Sequence, residues 1–184
     1  LASFLARYSF QRAAHRFLSF INDYLVDDVY GKKLNIQKSD EISGDLTVNA
    51  GIVRFDKEKA KIGLDIRYPV TVTLDEIIPT IKEVAARVGA AVTVSSHLKP
   101  LYVNGEDPLV QTLKNVYERQ MGEKADLLAT GGGTYARALK KGVAFGPLFP
   151  GRKDVAHQID EYIEIDDLLK ATAIYAEAMY ELAK

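Results

Sequence analysis

The chain of 184 residues contains no cysteine and only three histidines, His15, His97 and His157. A catalytic zinc uses three protein ligands plus an open position, and a two-metal site needs more. No thiolate is available, no His-Glu-x-x-His pair sits on a helix, and no carboxylate is spaced with a histidine so as to build a site locally. Apolar runs all fall short of the roughly 20 residues that cross a bilayer. No basic segment followed by an apolar stretch opens the chain as a secretory leader does. The 24 basic and 25 acidic residues are interspersed, for a net charge of −1, which leaves no electrostatic footprint for nucleic acid or an anionic membrane. What remains, 47% hydrophobic and 27% charged, is ordinary for a globular protein. The expectation is a soluble, cytoplasmic chain with neither nucleic acid nor membrane as partner, and the lack of cysteine agrees with that.

The chain opens at Leu1, inside an apolar helical pattern with no capping residue ahead of it. Helices ordinarily begin at Ser, Thr, Asp or Asn, so this start reads as a fragment cut within or just before a helix. Apolar residues at helical spacing predict one amphipathic helix over 1–27. Two strands follow over 45–55 and 59–68, joined by Asp56, Lys57 and Glu58 as in a hairpin. In the second, Ala60, Ile62, Leu64, Ile66 and Tyr68 share one face, and Lys59, Lys61, Asp65 and Arg67 the other. Thr73 and Glu76 make a capping-box pattern ahead of a helix that Gly89 stops; Pro79 either kinks that helix or delays its start. A further strand is expected over 91–97. Helix, strand, strand, helix, strand is the order of a ferredoxin-like α+β sandwich without its first strand.

Pro, Asn and Gly cluster near 100–107 as in a linker. Asp107 and Pro108 then start a helix that ends at Gly122. Short strands over 126–129 and 142–145 and a closing helix over 166–182 give this half an α/β reading. The expected division is 1–105 and 106–184.

Three features could carry chemistry. Gly131, Gly132 and Gly133 lie between a strand signal and a short helix, where backbone N–H groups can approach a phosphate or a carboxylate; a merely structural turn is the alternative, since neither nucleotide-binding glycine pattern is present. Arg67 could grip a carboxylate with two parallel hydrogen bonds, or it is a solvated arginine on a sheet face. His157 lies in a polar stretch and is either structural or one ligand of a site completed elsewhere.

The segments Thr130-Gly-Gly-Gly-Thr-Tyr-Ala-Arg137, Phe145-Gly-Pro-Leu-Phe-Pro-Gly151, His157-Gln-Ile-Asp-Glu-Tyr-Ile163 and Ala173-Ile-Tyr-Ala-Glu-Ala-Met-Tyr-Glu-Leu182 resemble the C-terminal part of the aminoacylase and carboxypeptidase-type two-metal peptidases. The dipeptidase V, or carnosinase-like, branch is the most similar. The resemblance is strong from 126 to 184 and looser from 1 to 105, which is similar to the latter part of that family's lid domain. It implies a partial ferredoxin-like lid followed by the C-terminal segment of an α/β catalytic domain, two zinc or manganese ions, and a dipeptide substrate. By resemblance His157 matches the last metal ligand, Arg67 the lid arginine that holds the substrate's C-terminal carboxylate, and Gly132 the backbone site that meets the same end.

The family's other metal ligands, its general-base glutamate and its oxyanion histidine belong to an N-terminal segment that this sequence lacks. The fragment alone is therefore expected to be inert, to need the missing part of its own catalytic domain, and to leave apolar surface open to self-association. Two other readings stand beside this one: a non-catalytic dimerisation or binding module that uses the open sheet face, and a phosphate site at the glycine turn.

Overall fold

The structure, a computed structural model, describes residues 12–56 and 58–184. The chain divides into two compact units, Leu1–Pro100 and Leu101–Lys184, and each has its own apolar cluster. Among the described residues the fold is mixed α+β, with four α-helices and two small antiparallel sheets. None of the described helices is long and apolar enough to cross a membrane.

In the first unit α1 spans Arg12–Tyr24; the part of the expected helix over 1–11 lies outside the described residues. Its inward face carries Phe20, Ile21 and Tyr24. A turn follows in which the Asp28 carboxylate accepts hydrogen bonds from the N–H groups of Tyr30 (3.2 Å) and Lys33 (2.6 Å). Gly31 is obligatory in that turn: its φ is +68°, and a Cβ there would lie 2.6 Å from Ile36 Cγ1.

Strands β1 (Ser39–Asp40) and β2 (Gly44–Asp45) form a small ribbon. The expected hairpin is present as β3 (Thr47–Phe55) and β4 (Ala60–Arg67), paired antiparallel from Thr47 opposite Arg67 to Phe55 opposite Ala60, with a register shift between Ala50 and Ile52. Asp56 closes it by accepting from the N–H groups of Glu58 and Lys59, both at 2.9 Å. β4 alternates as its sequence predicts: Leu64 and Ile66 pack on the core while Lys61, Asp65 and Arg67 are exposed.

Helix α2 spans Leu74–Ala86 and opens on the Thr73 and Glu76 capping box. Pro79 is accommodated inside it, so the delayed start does not occur. Its end is closed by Ala90 N–H donating to the Ala85 carbonyl, with Gly89 at φ +73°. Ile77, Ile81 and Val84 seat α2 on Leu34, Ile36, Leu46 and Val48. Each side chain so buried contributes about 1.5–3 kcal/mol.

The expected strand over 91–97 does not form; those residues have no regular secondary structure. β-branched residues such as Val92, Thr93 and Val94 favour extended backbone, but a strand exists only where a neighbour accepts its ladder. Among the described residues β3 and β4 pair only with each other.

In the second unit α3 (Pro108–Met121) begins on the Asp107 cap with Pro108 in its first turn, and ends at Gly122 in the left-handed conformation, as the sequence predicts. The last helix, α4, spans Ile165–Leu182. They pack through Leu113, Val116, Ile174 and Ala178. Arg119 and Gln120 of α3 both donate to Glu177 of α4. The expected strands over 126–129 and 142–145 are absent, for the same want of a ladder partner, so the α/β layering of this half is not present among the described residues.

One polar hub ties the ribbon to the chain beyond β4. The Asp40 carboxylate accepts from the Ser43 N–H (2.6 Å) and hydroxyl (2.9 Å), and from the Thr71 N–H (3.2 Å) and hydroxyl (2.9 Å). Desolvation works to raise its pKa, but the donors outweigh it and hold the carboxyl well below its ordinary 3.8. A depressed folded value stabilises the protein above the unfolded pKa, and that contribution is lost as the pH falls through the folded value. Asp40→Asn therefore melts below the parent at neutral pH, and the gap narrows steadily below about pH 4 in thermal unfolding followed by circular dichroism.

Candidate functional site

Arg67 ends β4 on its polar face, and what holds it there lies on either side of it. Behind it, Leu64 and Ile66 anchor the strand in the core. Ahead of it, Pro69 is fully buried and restricts Tyr68 to extended backbone. The Arg67 guanidinium lies 3.4 Å from Asp65 Oδ2, and both side chains are more than half exposed (52% and 58%). A contact between two exposed ions is screened by water and salt, so this ion pair by itself contributes little.

The next residue carries a contact that sequence reasoning missed. The Tyr68 hydroxyl meets Nε2 of His97 at 2.5 Å, and the two rings stack with centroids 6.1 Å apart. His97 stands in the segment expected to be a strand and has no recognisable motif around it; a pairing across 29 residues leaves no local signal.

In the second unit the glycine turn precedes a single 3-10 turn, Tyr135–Ala138. All three glycines are exposed, and the Gly132 N–H is bonded to Thr130 Oγ1 at 3.2 Å. Gly132 and Gly133 do not have positive φ; a Cβ at Gly132 would make only an ordinary contact with Thr130, and one at Gly133 would meet nothing. The chain's own backbone and packing thus give no reason for glycine at either position. A group that approaches the backbone closely from outside would.

His157 is exposed, with φ +62°, on a loop shaped by its own hydrogen bonds. Its N–H donates to Glu161 Oε2 (3.0 Å), while Asp154 accepts from the Ala156 N–H and the Gln158 amide. The start of the loop is anchored by Arg152, which forks onto the Asp167 carboxylate with contacts of 2.7 and 3.0 Å. Asp167 is buried in the first turn of α4. The bidentate bond and the Asp167 charge raise the Arg152 pKa. This pair too was not legible beforehand, because its members lie 15 residues apart.

Arg67 belongs to the first unit, and the glycine turn and His157 to the second. Among the described residues no group of three or more His, Cys, Asp or Glu could hold a metal ion. One exposed imidazole beside a glutamate already bound to a backbone N–H is not a metal site in itself.

The model of peptidase family M20/M25/M40 matches residues 22–181. The chain belongs to this peptidase family. The Bacillus subtilis protein named "Putative dipeptidase YtjP" is 51% identical over the whole chain, which covers 39% of that protein. The Staphylococcus epidermidis protein named "Putative dipeptidase" is 39% identical over 99% of the chain, again 39% of its own length, and the Staphylococcus saprophyticus relative "Putative dipeptidase SSP1012" is 36% identical over the same share. This M20 family chain thus spans 39% of the length of these curated relatives.

If the glycines of the turn are there for a ligand, removing them should cost folding little. Gly133→Ala is expected to change the unfolding free energy by less than about 0.5 kcal/mol in urea titrations, as for a surface change that touches nothing. Gly31→Ala, which meets both a positive φ and a clash, should be clearly destabilising in the same assay.

Proposed function

We propose that this M20 family chain is part of a dinuclear metal-dependent dipeptidase of the dipeptidase V, carnosinase-like branch, which hydrolyses dipeptides bearing a free C-terminal carboxylate. The observation that carries the reading is the exposed guanidinium of Arg67 on the polar face at the end of β4. Arginine at such a place presents a planar fork that matches a carboxylate. The open space over Gly133 supports a carboxylate-binding role for the glycine turn as well, since the backbone there can be approached closely. The first unit is read as a partial ferredoxin-like lid and the second as the C-terminal part of the catalytic domain.

Peptidases of this family generally use divalent metal ions. In the proposed enzyme they are two zinc or manganese ions, and His157 supplies one imidazole ligand to a site whose other ligands come from further chain. The length of the relatives leaves room for such a segment. The same segment would cover the side chains of Leu128, Tyr135 and Ile159, each at least 90% exposed. By itself the chain is inactive.

The carboxylate reading fixes a division of labour. Arg67 binds the carboxylate end of the substrate, and the glycine turn offers backbone donors to an anionic group, while the chemistry happens elsewhere. In the full-length enzyme Arg67→Ala is expected to lower kcat/KM for dipeptides by about 2–4 kcal/mol of transition-state binding, and Arg67→Lys to recover only part of it. Unchanged steady-state kinetics would remove Arg67 from the site.

A further inference from the structure

The pair Tyr68 and His97 lies outside every role assigned above, yet one member adjoins Arg67 in sequence. Tyr68 has two attachments. Its ring packs on the core that β3, β4 and α2 share, and its hydroxyl reaches out to His97, in the irregular segment after α2. Burial raises the Tyr68 pKa, with a smaller contribution from the Asp75 charge, so the hydroxyl stays protonated and able to donate to a neutral imidazole. Val92 packs on the same core from the same irregular segment. His97 is itself exposed, so the contact is not a by-product of close packing around a buried histidine.

The ladder leaves the end of β4 weakly determined. Arg67 is the last residue of the strand, paired only with Thr47 at the first residue of β3, and terminal pairs of a two-stranded sheet fray readily. Beyond it the chain has no further strand partner. Further along, the buried Pro69, the Val70 N–H on Ser43 Oγ and the Thr71 bonds to Asp40 fix the backbone, and at the residue next to Arg67 the Tyr68 to His97 contact does so. An arginine has four side-chain torsions, so a forked grip on a carboxylate needs its Cα placed well, because a small displacement at the root becomes a large one at the guanidinium.

We propose that Tyr68 and His97 form a positioning pair that holds the end of β4 so that Arg67 presents its guanidinium to the substrate carboxylate. Neither residue touches the substrate. The inference rests on the carboxylate-binding reading of Arg67. It assigns His97 a reason to be histidine that does not involve a metal: a flat ring that stacks on tyrosine and offers a nitrogen to its hydroxyl.

The test is a double-mutant cycle in the full-length enzyme, with a dipeptide and its C-terminal amide as paired substrates. Tyr68→Phe keeps the ring in the core and removes only the hydroxyl, while His97→Ala removes the partner; His97→Gln restores a side-chain amide that can accept from it. Tyr68→Phe and His97→Ala are each expected to raise KM for the dipeptide about five- to tenfold with kcat changed less than twofold, as for lost ground-state binding. His97→Gln should recover part of that loss. The amide should be insensitive, and in an Arg67→Ala background neither substitution should raise KM further. Equal effects with and without Arg67, or equal effects on dipeptide and amide, would overturn the proposal and leave a structural contact, while the carboxylate reading would survive. If Arg67→Ala itself leaves KM for the dipeptide unchanged, that reading falls and the positioning role falls with it.

Discussion

Everything proposed for the first unit depends on which face of β4 is buried. Leu64 and Ile66 go into the core with Leu46, Val48 and the inward face of α2, so Asp65 and Arg67 must face out, because side chains alternate along a strand. A slip of one residue in the β3 to β4 register would turn Arg67 toward the core and Leu64 to water, losing apolar burial and desolvating a charge together. The register is therefore held by energies much larger than any single contact at the site. The arginine has its place because the hydrophobic face has its place.

The second unit uses a different device for a similar end. Its apolar cluster between α3 and α4 is small, and polar fixtures do much of the positioning around it. Lys141 pairs with Asp107, the cap of α3, at 2.6 Å, and the Tyr175 hydroxyl donates to the Phe145 carbonyl at 2.9 Å. Arg152 forks onto the buried Asp167, which fastens the start of the His157 loop to the first turn of α4. A buried carboxylate left without its arginine is costly, so this fixture resists loosening. Both candidate binding features of the unit, the glycine turn and the His157 loop, are thus irregular segments tethered at one side to regular ones.

The parts of this arrangement that were legible in the sequence are those with local causes. The capping box at Thr73 and Glu76, the Asp107 and Pro108 start, the Gly89 and Gly122 stops and the alternation of β4 each act within a few residues, and the structure follows them. The parts that were not legible need a partner distant in sequence. Residues 91–97, 126–129 and 142–145 have strand composition but no ladder to join, so propensity alone misled there. Tyr68 with His97 and Arg152 with Asp167 are invisible for the complementary reason: nothing near either residue announces the other. His157 stood out only through resemblance, and among the described residues it gains no metal-binding companions.

The central proposal is that Arg67 grips the C-terminal carboxylate of the substrate. The most direct measurement is a crystal structure of the full-length enzyme with a non-hydrolysable dipeptide analogue bound. The account predicts the analogue's C-terminal carboxylate on the Arg67 guanidinium by two parallel contacts of about 2.7–2.9 Å. A carboxylate bound by other groups, with Arg67 turned to solvent, would contradict it.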